Sequence, residues 1–113
     1  KEGKILLVKR VKEDFWKLPG EKFKTNEEPE EVAKKGVLNE TGLTVEVIQL
    51  YNEYQFTHQD EQINTLVFES NILKGEPKPN NEEVEKVEFF SLPELEKLPL
   101  SPNLKLVYED LTK

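Results

Sequence analysis

Residues Phe15 to Leu43 read FWKLPGEKFKTNEEPEEVAKKGVLNETGL, and this stretch decides the fold. It opens on a Trp-x-Leu-Pro run, in which Trp16 and Leu18 anchor a turn that Pro19 and Gly20 bend sharply, a packing device more than a chemical one. Lys22 to Glu28 is polar and aperiodic, a loop. Pro29 with its acidic neighbours gives the start signal of a helix, because a first helical position has no N–H bond to lose and acids suit the positive end of the helix. Val32, Ala33, Val37 and, on the flank, Leu38 then recur at helical spacing, and Gly42 supplies the stop. A helix is therefore predicted from Pro29 to Thr41, with a return into a strand. Positions 36, 39 and 40 stand at i, i+3 and i+4, so they share one helix face; it carries Gly36, Asn39 and Glu40.

Working outward, Gly3 reads as a turn and Lys4 to Arg10, KILLVKR, as a short buried strand with basic residues at its exit. Beyond the helix, Thr44 to Phe56 alternates as a long strand with Ile48, Leu50, Tyr54 and Phe56 on one side. Thr57 to Glu61 is a turn that contains the one histidine, His58, read as a surface residue rather than a general base. Gln62 to Leu73 returns as the partner strand of an antiparallel hairpin, with Leu66, Val67 and Phe68 at its centre. Lys74 to Glu83, with its Gly, prolines and asparagines, is a loop, and Val84 to Phe90 is a further strand. Ser91 caps a short helix through Pro93 and Leu95, and Ser101-Pro102 repeats the device before Leu104, Val107, Tyr108 and Leu111, an amphipathic terminal helix.

The length of 113 residues fits one domain with a single core. With no cysteine there is no disulfide framework, thiolate metal site or Cys nucleophile, and a reducing cytosol is the simplest home. The longest apolar run, Ile5 to Val8, is strand-sized, so neither a membrane span nor a signal peptide is expected. Twenty-three acidic against 16 basic residues give a net charge of -7, which disfavours a nucleic-acid surface; a phosphorylated small molecule would need a local cation.

The layout of the Phe15 to Leu43 stretch resembles the signature of the Nudix hydrolase family: Gly, five residues, Glu, seven residues, Arg-Glu, an aliphatic, any residue, Glu-Glu, any residue, Gly and an aliphatic. Counting back from Gly42-Leu43, Glu40 takes the last acidic place, Asn39 the one before it, Val37 the aliphatic, Gly36 and Lys35 the Arg-Glu pair, Glu27 the first Glu and Glu21 the opening Gly. The closing VEKVEFFSLPELEKLPL is also similar to the family's end. The resemblance implies a single Nudix domain over residues 1–113, of α+β class, with a mixed β-sheet between helices in an αβα arrangement. It also implies that the family's first strand precedes Lys1.

The same resemblance implies a nucleotide-like small-molecule substrate, a nucleoside diphosphate linked to another group, whose phosphoanhydride is hydrolysed with Mg2+ or Mn2+. A hard cation wants oxygen ligands and reverses the repulsion between carboxylates and phosphates. Glu40 would bind metal and serve catalysis, with Lys35 in the place of the Arg. Glu27, Asn39 and a recruited loop acid, Glu83, would complete the metal set. Glu30, Glu31, Glu82 and Glu85 read as solvated charges. Arg10 would reach substrate phosphate, beside Gly20, or else is a solvated strand-end residue. Lys35 lacks the planar fork of arginine, and Asn39 offers only a neutral oxygen. Gly36 offers nothing, at a mid-helix place where Gly costs about 1 kcal/mol relative to Ala, and no local reason for it is visible. Glu21 would be strained if its backbone angle were positive. Metal binding is therefore expected to be weak, and Gly36→Glu with Asn39→Glu is expected to restore it. Two functions stay open: a weakened pyrophosphohydrolase, or a Nudix-fold binding or scaffold module that has lost the metal chemistry.

Overall fold

The computed structural model describes residues 4–24 and 26–113. In chain order the elements are β1 (Ile5–Arg10), β2 (Trp16–Lys17), α1 (Pro29–Thr41), β3 (Thr44–His58), β4 (Glu61–Lys74), β5 (Val84–Phe90), α2 (Leu92–Leu95) and α3 (Pro102–Leu111). The α+β class holds. Within it, the described strands form two antiparallel sheets rather than one mixed sheet: β2-β1-β5 and the hairpin β3-β4. Among the described residues, parallel pairing is confined to a bridge between Trp16 and Leu100.

Helix α1 keeps the limits read from its ends. Pro29 occupies its first turn, and Gly42 at φ 77 is the left-handed cap whose N–H returns to the Leu38 carbonyl. Its buried line is Val32, Gly36 and Glu40, four residues apart, while Ala33 and Val37 are only half-buried. The stripe that meets the rest of the protein thus runs through two of the polar signature positions.

Strand β1 is covered on both faces, since the neighbours Leu7 and Val8, which point to opposite sides, are both fully buried. Leu7 joins Trp16, Tyr54, Leu95, Leu104 and Val107 in the main core. Trp16 meets Phe90 edge to face at 4.9 Å between ring centres. The backbone of Trp16 is also clamped by the far end of the chain: its N–H donates to the Pro99 carbonyl at 2.8 Å, and its carbonyl accepts from the Ser101 N–H at 2.9 Å. Ser101 then caps α3 by accepting from the Leu104 N–H.

The hairpin departs most from expectation. Its turn is just Gln59 and Asp60, both at positive φ (53 and 65), as the tightest hairpins require. The strands therefore run on to residue 58 and from residue 61, and His58 belongs to β3 rather than to the turn; its side chain lies outside the described residues. Register shifts between Val47 and Gln49 and between Leu50 and Asn52 each insert a residue and flip the alternation. As a result Ile48 and Leu50 are exposed, Tyr54 is buried and Tyr51 packs against the core. Among the described residues, no helix is long and apolar enough to cross a membrane.

A polar lock fastens α3 to the hairpin. The Tyr54 hydroxyl donates to Asp110 at 2.6 Å, Asn52 donates to the same oxygen at 2.9 Å, and the Lys113 ammonium lies 3.1 Å from the other. Burial, reinforced by the Asp110 bond, pushes the Tyr54 hydroxyl up to about 12. The bond from Tyr54, followed by those from Lys113 and Asn52, brings Asp110 down to about 2. A carboxylate more acidic when folded contributes its stability above the ordinary value of 3.8 and loses it as pH falls toward 2. A tyrosine less acidic when folded contributes below 10 and loses it between 10 and 12. Tyr54→Phe is accordingly expected to lower Tm at neutral pH by roughly 4–8 °C. It should also flatten both the acid and the alkaline decline, as read by circular-dichroism melts across those two windows.

Candidate active site

Glu40 stands at the centre of the signature region and is almost wholly buried, at 2% exposure. A carboxylate removed from water must find charge or donors. One oxygen accepts from Arg10 Nη2 at 2.8 Å, and the other accepts from the Gly20 N–H at 2.9 Å. The single side chain thereby ties α1 to the end of β1 and to the Leu-Pro-Gly turn. Arg10 itself is about one-third exposed, 33% for its side chain, and its buried Nε has no hydrogen-bond partner among the described residues.

The remaining predicted residues take separate places. Asn39 is exposed, and its Nδ2 donates to Glu21 Oε1 at 2.9 Å. Its backbone carbonyl accepts from Asn80 Nδ2 at 3.1 Å. Asn80 Oδ1 in turn receives the N–H groups of Glu82, Glu83 and Val84, so it braces the acidic loop against the end of α1. Glu83 is exposed, and its carbonyl accepts from the Val11 N–H. Glu27 is spent on its own loop, accepting from the Lys24 N–H at 2.7 Å. Lys35 is exposed.

Gly36 has the local reason that the sequence conceals. A Cβ there would lie 2.8 Å from the Cα and carbonyl carbon of Gly20 and 2.9 Å from the Glu21 nitrogen, closer than packed atoms sit, so the turn rests directly on the helix backbone. The Gly36→Glu half of the substitution expected to restore metal binding therefore meets a backbone obstacle that the sequence does not show. Glu21 is also relaxed: it is not among the residues of positive φ, and Gly20 takes that conformation at φ 154.

Sequence reasoning missed Lys17. It pairs with Val8 across β1 and β2, on the face of β1 that also carries Arg10. Burial, then the nearby Arg10 guanidinium, lowers its ammonium below the ordinary lysine value, with Glu13 and Glu40 opposing and Lys22 adding to the effect. The strand alternation from Val8 to Arg10 could have flagged it, had the two-residue β2 been recognised. Asn80 was also missed, although an Asn two to four residues before exposed amides is a recurrent local acceptor.

The sequence matches the NUDIX domain family over residues 1–111. The chain belongs to the Nudix family. It is 33% identical over 103 residues to an ADP-ribose pyrophosphatase of Methanocaldococcus jannaschii, covering 87% of this chain and 60% of that protein. A MutT-like protein of Streptomyces ambofaciens is 32% identical over 81 residues, 72% of this chain and 51% of that one. This Nudix domain thus spans between half and two thirds of the curated relatives it matches. Among solved structures, a UDP-X diphosphatase superposes with a TM-score of 0.79 at 31% identity over 89% of this chain and 50% of that one. A MutT Nudix hydrolase from Burkholderia pseudomallei gives 0.85 at 25% identity, covering 96% and 88%.

Nudix hydrolases generally use divalent metals, which sets a test for these side chains. Among the described residues no group of three His, Cys, Asp or Glu is placed to hold an ion. Position 36 has no donor, Asn39 is bonded to Glu21, and both oxygens of Glu40 are taken by Arg10 and Gly20. The donor set does not fit the ion. Glu40 in this state is an anchor, which sets an order of mutational cost. Arg10→Met strands a buried carboxylate and should cost about 2–3 kcal/mol, moderated by the exposure of Arg10. Glu40→Gln can keep the Gly20 bond only by turning its amide NH2 toward the Arg10 guanidinium, donor against donor, and should cost about 1–2 kcal/mol. Urea melts of both variants give the check.

Proposed function

We propose that this Nudix domain recognises a nucleoside diphosphate linked to a second group and acts chiefly as a binding module, with metal-dependent hydrolysis far below that of an intact signature. The ligand class is drawn from the relatives, whose names specify ADP-ribose and UDP-X. Loss of turnover is supported above all by one observation, the seating of the Gly20 backbone where a residue-36 side chain would begin. Binding is supported by a local reversal of charge. On a chain of net charge -7, the one-third exposed Arg10 guanidinium acts on the Lys17 ammonium, with Lys22 adding to the same field and Glu13 and Glu40 only partly offsetting the three cations. A diphosphate could be received there through charge-assisted bonds without a metal.

The deciding experiment pairs two measurements on a panel of ADP-ribose, UDP-sugars, dinucleotides and nucleoside triphosphates. Calorimetric titration without divalent ion should show binding by at least one diphosphate. Phosphate and nucleotide release with excess MgCl2 or MnCl2 should stay near background. Arg10→Ala or Lys17→Ala should weaken binding by roughly tenfold or more, the loss expected for one charge-assisted contact. Robust metal-dependent turnover by the parent chain would restore the hydrolase reading.

A further inference from the structure

Three departures from the Nudix signature meet along a single seam. The turn at Gly20 and Glu21 lies against α1 so closely that a Cβ on Gly36 would sit 2.8 Å from Gly20 carbons and 2.9 Å from the Glu21 nitrogen. One turn further on, Asn39 Nδ2 donates to Glu21 Oε1 at 2.9 Å. Beside it the Gly20 N–H donates to Glu40 at 2.9 Å. Residues 36, 39 and 40 therefore all grip the same two loop residues, two of them through groups the signature does not specify.

We propose that Glu21, Gly36 and Asn39 form one interdependent set, a direct loop-to-helix clasp lying across the surface where the family places its metal ligands. Each member makes sense only with the others. The missing Cβ at 36 lets the loop backbone descend. At that distance the exposed residue-21 carboxylate reaches the helix, where Asn39 gives it an amide donor that a glutamate could not. A glutamate at 39 would place like charges together, and a glutamate at 36 would push the loop away. Restoring the two helix carboxylates while Glu21 remains therefore fails, whereas a glycine at 21 gives the loop backbone the freedom to move off the helix and admit a side chain at 36. The clasp is independent of whether a nucleotide binds, since it concerns the unliganded chain.

The test is a set of melting curves, with and without excess MgCl2, on the parent, Gly36→Ala, Asn39→Glu, Glu21→Gly, Glu21→Gly with Asn39→Glu, Gly36→Glu with Asn39→Glu, and the triple variant Glu21→Gly, Gly36→Glu, Asn39→Glu. Gly36→Ala should lower Tm by roughly 4–8 °C, although alanine is much the better helix former. Asn39→Glu should lower Tm in the parent and cost little when residue 21 is Gly, a non-additive cycle. Magnesium should leave the parent and the Gly36→Glu, Asn39→Glu pair unmoved and raise Tm of the triple variant, because an ion that binds only the folded state stabilises it. A rise in Tm for Gly36→Ala, an additive cycle, or a magnesium shift in the pair as large as in the triple each overturns the clasp. Should the triple variant not fold, the sign for Gly36→Ala and the cycle decide.

Discussion

A carboxylate with almost no contact with water has to be neutralised in place, and the satisfaction of Glu40 fixes how the parts of this domain meet. Its two oxygens draw on a strand-end guanidinium and a turn N–H, so α1, β1 and the Leu-Pro-Gly turn are held in one geometry by a single side chain. Charge burial of this kind is costly unless complete. That requirement explains why Arg10, placed at the exit of a strand, is turned inward across the helix rather than left in solvent. It also accounts for the intimacy of the turn with Gly36: once the Gly20 N–H is drawn to the carboxylate, the loop backbone has nowhere to lie except on the helix.

Much of this was legible in the sequence because it is local. Pro29 and Gly42 mark the ends of α1 by their own backbone chemistry, and Val84, Ser91 and Ser101 start their elements by equally local rules. The long hairpin was legible as a pair but not in phase, because its register shifts are set by cross-strand packing and leave no residue signature. Ile48, Leu50 and Tyr54 were therefore placed on one side, whereas Ile48 and Leu50 are exposed and Tyr54 is buried. The two-residue β2 fell below any periodic signal. In the candidate site, Glu40 and Arg10 were legible as individual residues but not as partners. Gly36 looked like damage because the atoms that require it belong to residues 20 and 21, far away in sequence.

The wider lesson concerns how a fold and a chemistry separate. The framework of this Nudix domain superposes well on its relatives, while residues 36, 39 and 40 of its helix face are engaged with the turn at Gly20 and Glu21. A scaffold determines where side chains can meet, and the residues placed there determine what they do.

The clamp on Trp16 bears on the order in which this chain can assemble. Its N–H and carbonyl are satisfied by Pro99 and Ser101, so the indole at the heart of the core gains its backbone partners from the opposite end of the sequence. Contacts of that separation close the largest loops and form last. A ribosome releasing this domain in chain order would hold β1, α1 and the hairpin as an unsealed half until Pro99 and Ser101 emerge. Vectorial synthesis thus makes the segment leading into α3 the keystone of this domain.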